Sequence, residues 1–596
     1  MLHHTPHRLS TTAKHTLTAT ILSLVCSSAL STDDPTVLIN WDSHWHYHDS
    51  DEAAPQGWQE KGFDHADWKS GPSPFGYDTA NRMDRWPEPH PETQLQPSLI
   101  SYAFRHAFAF TGDPANTTIL FDLIIDDGAV IFLNGVEVAR THTMPEGPVN
   151  ASTTTEQVVS IPERHDNAFR IPGTALTQGD NVLAVSLHNH RETSSDICLA
   201  LRMRVIDEKY RSEPPGLILT WQEDPTTSIT IDWHRLPEQT EATEPVIQAR
   251  PRGTADWHDF PAERFPFPHS DRMIDRVEIK GLQPNTEYEF RGDPESRTYW
   301  FRTMPAKLER PVTFAAGGDV RHRRSWMEQT NRMAMLHDPD FIVWGGDLAY
   351  ADGRPDRVNL WYEYLEVMVQ TLVTDDGRIP PVVVGIGNHE VQGGYHRDRF
   401  NSDEDKLELA PFFYNLFAFP GIQGYNTLDF GNYLSFIVTD TDHSTPVVGE
   451  QTRWLRRALA ERQDFSHLIP VNHVPAWPSH RSFDGSISAA IREHWVPLFE
   501  HHGIRLVLEN HDHTYKRTIP IYREREDKER GIVYLGDGCW GVGTRSVHSV
   551  EETWYLKHAE STRHALIITV HPDRLDVDAR DSDNNTIDSV TVPARR

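Results

Sequence analysis

Six short apolar runs in the second half of the chain each stop at a side chain able to hold or flank a metal ion. In chain order they end at Asp319, Asp347, Asn388, Asp440, His473 and, for the last run, His511 and His513. Apolar runs of about four to eight residues between turn-forming residues predict buried strands. Since ligands of an open α/β sheet bind at the carboxyl ends of its strands, we expect these side chains to meet at one edge of one sheet. With Asp440 set aside as a flanking group, the set can bind two cations side by side.

The chain of 596 residues is too long for one hydrophobic core, because single cores stop growing at about 250–300 residues. Residues 36–206 alternate apolar and polar positions between turns, which predicts an all-β sandwich. Residues 213–305 show the same alternation and predict a second all-β module. Residues 308–596 change to strands that alternate with helical stretches, which predicts an α/β domain with closing strands at its end.

Residues 1–31 are predicted to be a secretory signal peptide. Arg8 and Lys14 precede the apolar stretch 17–30, which is shorter than the roughly 20 residues that a membrane-spanning helix needs. Beyond this leader only Cys198 and Cys539 remain, in different predicted domains, so we expect no disulfide framework. An exported protein without disulfides is typical of bacteria, and the sequence therefore predicts a secreted or periplasmic bacterial protein.

The net charge of −30 argues against a nucleic-acid partner or an anionic membrane surface, because phosphate contacts need lysine and arginine. The field of the whole protein does not steer an anionic substrate inward. A phosphate site in this chain must therefore draw on local positive charge, such as that of bound metal ions.

The chemistry-bearing motifs occur in a fixed order along the chain. They are GGDVR (317–321), GGDLAYAD (345–352), GIGNHE (385–390), PVNHVPAW (470–477), ENHDHTYKR (509–517) and GIVYLGDGCWG (531–541). This order resembles the calcineurin-like metallophosphoesterases and, within them, the purple acid phosphatases. The resemblance implies an αββα-type catalytic sandwich, preceded over 213–305 by the fibronectin type III-like module of those phosphatases. The first module, with DDGAVIFLNG, resembles galactose-binding-like jelly-roll domains, some of which bind carbohydrate.

The resemblance also implies which residues hold metal. One ion would be bound by Asp319, Tyr350 and His513, the other by Asn388, His473 and His511, with the carboxylate of Asp347 bridging both. Carboxylate and phenolate oxygens suit a hard ion such as Fe(III), whereas imidazole and amide donors suit a divalent ion such as Zn, Fe or Mn. Ordinary metallophosphoesterases carry a histidine two residues after the first aspartate, where this chain has Arg321. Tyr350 would supply the missing ligand, in the manner of the purple enzymes.

Two ions at such a site clamp a phosphoryl group and supply a metal-bound hydroxide for attack at phosphorus. His389, beside an amide ligand, is the predicted proton donor to the leaving group. His480 is a second catalytic candidate, because plant-type enzymes place substrate-contacting histidines in this loop. Arg321 and His322 are predicted to contact the phosphate, and the alternative is that they begin a solvated helix.

One departure from the family concerns Asn510, which stands where the family usually has glycine before the first histidine of the last motif. Asparagine tolerates the left-handed backbone conformation better than most residues. We therefore expect the turn to be kept with Asn510.

The favoured function is that of a secreted dinuclear phosphomonoesterase acting on a small phosphorylated substrate. A phosphodiesterase or nucleotide hydrolase on the same site stays open, because the pocket walls come from loops such as 391–430 and 476–486. A third hypothesis is a surface carbohydrate-binding protein with an inactive phosphatase domain. The presence of all seven predicted ligands argues against that hypothesis.

Overall fold

The computed structural model describes residues 36–595 except 84–85, 142, 160, 208–213, 241–243, 295, 397–401 and 422–423. The predicted signal peptide, residues 1–31, lies outside the described residues. None of the helices described is both long and apolar enough to cross a bilayer.

The first part of the chain is an all-β sandwich. Its strands are β1 Thr36–Ile39, β2 His44–His48, β3 Lys69–Pro72, β4 Phe75–Asp78, β5 Thr93–Gln94, β6 Ser101–Phe110, β7 Thr117–Asp126, β8 Gly128–Leu133, β9 Val136–Arg140, β10 Glu163–Pro172, β11 Gly179–His188 and β12 Asp196–Asp207. One sheet has the order β10-β7-β12-β4-β5, with β1 also on β12, and the other β3-β2-β6-β11-β8-β9. Alternate residues such as Phe104, Phe121 and Leu199 point inward and form one core between the sheets.

The second part has two four-stranded antiparallel sheets. Its strands are β13 Leu217–Thr220, β14 Ser228–Arg235, β15 Val246–Pro251, β16 His258–Pro261, β17 Glu263–Pro266, β18 Met273–Lys280, β19 Glu287–Arg291 and β20 Tyr299–Arg302. The sheet orders are β13-β14-β18-β17 and β16-β15-β19-β20. Trp221, just after β13, packs edge-on against Phe341 and Phe430, with ring centroids 5.9 and 5.5 Å away. The core of this module therefore continues into the last part of the chain.

The described residues of the last part form two further sheets and seven α-helices. The strands are β21 Val312–Gly317, β22 Phe341–Trp344, β23 Val382–Val384, β24 Asn426–Phe430, β25 Leu434–Val438, β26 His467–Val471, β27 Leu506–Glu509, β28 Tyr515–Thr518, β29 Val533–Gly536, β30 Leu556–Glu560, β31 His564–Val570, β32 Arg574–Asp581 and β33 Thr586–Pro593. The α-helices are α1 Arg324–Met335, α2 Val358–Leu372, α3 Asp403–Leu409, α4 Pro411–Leu416, α5 Glu450–Glu461, α6 Ser486–His494 and α7 Val496–His501. The sheet orders are β23-β22-β21-β31-β32-β33 and β24-β25-β26-β27-β29-β28-β30.

These elements pack as four layers, helix on sheet on sheet on helix. Phe314 and Ile568 of one sheet meet Phe436 of the other in the central core. The helix α2 covers the outer face of the first sheet with an apolar stripe of residues spaced three or four apart, namely Trp361, Leu365, Met368 and Leu372. The helices α5, α6 and α7 cover the outer face of the second sheet in the same way.

The six runs lie in two sheets, so the prediction that their ends meet at one edge of one sheet is wrong. The strands β21, β22 and β23 are parallel neighbours in the first sheet, and β25, β26 and β27 are parallel neighbours in the second. Strands buried on both faces have the same continuous apolar sequence in either sheet. The two sets of carboxyl ends meet at one end of the sandwich, where the backbone N–H of His511 donates to Oδ2 of Asp319 at 2.8 Å.

Candidate metal centre

Five of the seven predicted ligands lie in sharp turns that follow their strands. Asp319, Asp347, Tyr350, His511 and His513 all adopt the left-handed conformation, with φ between 55° and 81°. For residues other than glycine this conformation costs free energy, and such residues concentrate at functional sites. Backbone hydrogen bonds join the first two turns, because Asp319 N–H donates to the carbonyl of Gly346 at 2.9 Å.

One group of donors gathers around Asp319. The hydroxyl of Tyr350 lies 3.1 Å from Oδ1 of Asp319, and Nε2 of His513 lies 3.0 Å from the same oxygen. The Tyr350 hydroxyl and Nε2 of His513 are 3.2 Å apart. This group is therefore rich in oxygen, with one imidazole.

A second group gathers around His473. Its Nε2 lies 3.2 Å from Oδ1 of Asn388 and 3.1 Å from Nδ1 of His511. The same Nε2 lies 3.3 Å from Oδ2 of Asp347. This group has two imidazoles, an amide oxygen and a carboxylate.

The carboxylate of Asp347 belongs to both groups. Its ligand atom lies within 4.8 Å of those of His473 and His511, and also within 4.8 Å of those of Asp319 and His513. Asp347 is buried, and its Oδ2 accepts no hydrogen bond from the described residues. A buried carboxylate oxygen without a partner is costly, and a shared cation would supply the missing interaction.

The hydrogen bonds of the imidazoles fit metal binding. Nδ1 of His473 donates to the carbonyl of Gly345 at 3.0 Å, and Nδ1 of His513 donates to the carbonyl of Gly543 at 3.1 Å. With the proton on Nδ1, the lone pair of Nε2 is free to bind a cation. Lone pairs that face one another at about 3 Å repel unless a cation lies between them. The donor set therefore fits two ions, one more oxygen-rich than the other.

His389 lies at the edge of this cluster. Its Nδ1 is 2.5 Å from Oδ1 of Asp352, while its Nε2 is 3.9 Å from Oδ2 of Asp347. Burial lowers the pKa of an imidazole, but here the negative charges of Asp347 and Asp352 outweigh burial and raise the pKa of His389 above its ordinary value. Asp352 in turn pairs with Arg357. The arrangement favours the protonated form of the His389 imidazole.

His322 is one of the two residues predicted to contact the phosphate. Its ring centroid is 4.3 Å from that of Tyr350, and its Nδ1 accepts the backbone N–H of Gly543 at 3.2 Å. Because Nδ1 accepts, the neutral ring carries its proton on Nε2. The exposed side chain of His322 thus offers one N–H donor.

The prediction that Arg321 contacts the phosphate is not supported. Its side chain is buried, and its guanidinium donates to a carboxylate oxygen of Glu363 on α2. A second contact joins Nη1 of Arg321 to the carbonyl of Ala349 at 3.4 Å. The guanidinium is thus directed to α2 and is neutralised there.

His480 lies on a loop that contacts the loop carrying Ser546. Its Nδ1 donates to the carbonyl of Ser546 at 2.7 Å, and its backbone N–H donates to Oδ2 of Asp512 at 2.7 Å.

Asp440, set aside as a flanking group, is buried, and its carboxylate accepts the backbone N–H groups of His443 and Ser444.

Two supporting side chains were missed in the sequence, although they stand in the quoted motifs. Asp352, the last residue of GGDLAYAD, orients His389. Glu390, beside His389, accepts the backbone N–H groups of Asp347 and Leu348 at 2.8 and 2.7 Å. Burial, followed by the charge of Asp347, raises the pKa of Glu390 to about 7. Carboxylates within two residues of a predicted site residue are the signal that could have found them.

The left-handed turn expected at Asn510 lies one residue later, at His511 (φ 81°). The side chain of Asn510 instead fills the space left by Gly318 and Gly345, and its Nδ2 donates to the carbonyl of Asn472 at 2.9 Å. Asparagine at this position therefore packs the two sheets together at the end that carries the donors.

Comparison with known proteins identifies relatives of this chain. Residues 214–303 match the family described as Purple acid Phosphatase, N-terminal domain. Purple acid phosphatase 21 of Arabidopsis thaliana is 27% identical over 286 residues, which cover 46% of this chain and 60% of that protein. A probable inactive purple acid phosphatase 1 of the same plant is 22% identical over 319 residues, covering 47% and 50%. This chain spans half to three fifths of the length of these relatives.

A solved structure shares the fold. The purple acid phosphatase isolated from yellow lupin seeds matches with a TM-score of 0.57 at 18% identity, over 87% of this chain and 95% of that chain. At this identity the likeness concerns the fold alone.

The packing of Asn510 leads to a prediction on stability. A Cβ atom added to Gly345 would lie 1.9 Å from Nδ2 of Asn510, so Gly345→Ala is expected to lower the free energy of unfolding by about 1–3 kcal/mol. In an Asn510→Gly background the same change should cost less, because the clashing amide is gone. Denaturant titration of the four proteins of this cycle measures the coupling.

The control is Gly62→Ala, whose Cβ would meet no atom within 4 Å. An equal cost of Gly345→Ala in both backgrounds would show that the asparagine does not set the need for glycine.

Proposed function

We propose that this relative of the purple acid phosphatases hydrolyses phosphate monoesters at a centre of two metal ions. The observation that carries the proposal is the sharing of Asp347 by two groups of donors, each within 4.8 Å. Paired ions about 3.5–4 Å apart act on phosphate esters, and two donor groups that share one carboxylate would hold such a pair side by side.

The two groups of ligands would prefer different kinds of metal ion. Asp319, Tyr350 and His513 suit Fe(III), and Asn388, His473 and His511 suit Zn, Fe or Mn in the divalent state. Bound there, the pair supplies Lewis acidity that offsets the charge of the phosphoryl group and makes water a better nucleophile.

The remaining steps belong to side chains beside the centre. His389, whose pKa the charges of Asp347 and Asp352 raise, would hold a proton at Nε2 for the leaving oxygen. His322 presents its Nε2–H to a phosphate oxygen, since its Nδ1 is occupied by Gly543. His480, whose Nδ1 is fixed to the carbonyl of Ser546, would orient the substrate from its loop.

Two further parts of the proposal come from sequence. The signal peptide of residues 1–31 would place the protein outside the cytoplasm, in the periplasm or medium. Carbohydrate binding by the first sandwich stays a prediction.

The first experiment measures activity, metal and colour together. Purified protein is expected to contain about two ions per chain, to hydrolyse 4-nitrophenyl phosphate faster than bis(4-nitrophenyl) phosphate, and to be violet if Tyr350 binds Fe(III). Tyr350→Phe should remove the colour and weaken activity, because the phenolate ligand is lost. Absorption spectra, metal analysis and initial rates provide the readouts.

The matched control is Tyr364→Phe, since Tyr364 is fully buried and its hydroxyl has no hydrogen-bond partner among the described residues. Preference for the diester would favour the phosphodiesterase alternative. Protein with well-occupied metal and no turnover of either ester would favour the inactive alternative.

A second experiment tests the proton donor. Asp352→Asn removes a charge that raises the pKa of His389, so the pKa should fall and less of the imidazole stays protonated at a given pH. The alkaline limb of the kcat profile should therefore move to lower pH. His389→Ala should lower kcat by about 10²–10⁴ for an alkyl phosphate, and by less for a nitrophenyl ester, whose leaving group needs no proton.

Asp356→Asn is the control, because Asp356 pairs with Arg354 and not with His389. An alkaline limb that stays in place in Asp352→Asn, at unchanged metal content, would exclude His389 as the titrating acid.

A further inference from the structure

Two arginines, Arg481 and Arg545, lie side by side at the metal centre. Nη2 of Arg481 donates to the backbone carbonyl of His511 at 3.4 Å, and Nη1 of Arg545 donates to the same oxygen at 3.3 Å. One carbonyl thus holds two guanidinium groups next to each other. Two positive charges that share one acceptor repel each other, and an anion between them would remove the repulsion.

Neither charge is fully neutralised. Arg545 forms no ion pair with any carboxylate of the described residues. Nε of Arg481 lies 3.5 Å from Oδ1 of Asp512 and makes no hydrogen bond, although it is buried. The other oxygen of Asp512 is already occupied by the backbone N–H groups of Ser479, His480 and Arg481.

Other arginines near the centre differ in this respect. Arg321 is paired with Glu363, and Arg357 is paired with Asp352. In a chain with 87 acidic and 57 basic residues, carboxylate partners are plentiful. A half-buried pair of arginines with so little compensation beside a candidate phosphate site therefore points to an external anion.

The loops that carry the pair are fixed to each other and to the ligands. The backbone N–H of His548 donates to the carbonyl of Ser479 at 2.6 Å, and Nε2 of His548 donates to the carbonyl of Arg481 at 2.8 Å. The backbone N–H of Arg545 donates to the carbonyl of His513 at 3.1 Å. The backbone of both arginines is thus fixed before a ligand binds, which limits the entropy lost on binding.

The pair contacts the main chain of His511, whereas the ring of His511 faces His473. The guanidiniums therefore stand beside the donors and not among them. A group that they bind belongs to the part of the substrate next to the phosphoryl group held by the donors.

We propose that Arg481 and Arg545 bind a second phosphate group of the substrate, adjacent to the one that is hydrolysed. The preferred substrates are then compounds with neighbouring phosphates, such as inorganic pyrophosphate or a nucleoside diphosphate. Guanidinium groups suit this role, because their planar donors pair with two phosphate oxygens at once. The inference rests on the phosphoesterase function proposed above.

The test compares two substrates in four proteins with intact metal. Arg481→Gln, Arg545→Gln and the double variant are expected to lower kcat/KM for pyrophosphate about tenfold or more per arginine, while kcat/KM for 4-nitrophenyl phosphate changes little. Inhibition of 4-nitrophenyl phosphate hydrolysis by methylenediphosphonate, which is not hydrolysed, should weaken by a similar factor. Arg354→Gln is the control, because the guanidinium of Arg354 pairs with exposed Asp356 and lies on another loop.

The outcomes separate the two proposals. An equal loss for both substrates would place the arginines on the reacting phosphate, and no loss for pyrophosphate would leave them without a substrate role; either result overturns the inference and leaves the phosphoesterase function standing. Wild-type protein that hydrolyses neither substrate would overturn the function itself. If a glutamine variant does not fold, Arg481→Lys and Arg545→Lys keep the charge but lose the paired donors, and methylenediphosphonate binding then provides the readout.

Discussion

The position of the Asp347 carboxylate is the constraint on which the site depends. Its Oδ1 accepts the backbone N–H of His389 at 2.8 Å, and its own N–H donates to the buried carboxylate of Glu390 at 2.8 Å. With these contacts fixed, Oδ2 has one direction left, toward the donors of both sheets. Asp347 follows β22, the strand between β21 and β23, so its neighbours on either side bring Asp319 and Asn388 to it. Two ions bound there would owe their separation to this carboxylate.

The close approach of the turns depends on small residues. A Cβ atom at Gly387 would lie 2.3 Å from Oδ1 of Asp347 and would displace that oxygen. Asn510 enters between Gly318 and Gly345 from the opposite sheet. The sandwich can therefore bring donors from two sheets within hydrogen-bond distance of one another only because these positions lack side chains. Trp221 of the preceding module braces the opposite end of the sandwich, where it packs on Phe341, the first residue of β22.

The sequence allowed the strands and their terminal donors to be predicted, because buried runs that end in metal-binding side chains are a local pattern. It did not show which sheet each strand joins, since that depends on pairings between distant segments. The sequence likewise did not show with which partner each charged side chain pairs. Arg321 follows Asp319 by two residues, but it pairs with Glu363, 42 residues away. Asp352 and Arg545 were missed for the same reason, because the partner of a charge, or the lack of one, is decided by tertiary packing.

The distribution of charge explains how a chain of net charge −30 can attract phosphate. At physiological ionic strength, exposed charges are screened beyond about 8 Å. The acidic surface therefore has little effect on an anion already bound at the candidate metal centre. Buried and half-buried charges are screened less, and they decide binding there. Arg321 adds nothing to that field, because Glu363 neutralises it, whereas Asp352 is shared by Arg357 and His389 and cannot neutralise both. The positive charge that remains comes from His389, from the pair Arg481 and Arg545, and from any bound cations. The choice among phosphate compounds therefore depends on how many phosphates of a substrate these groups can contact.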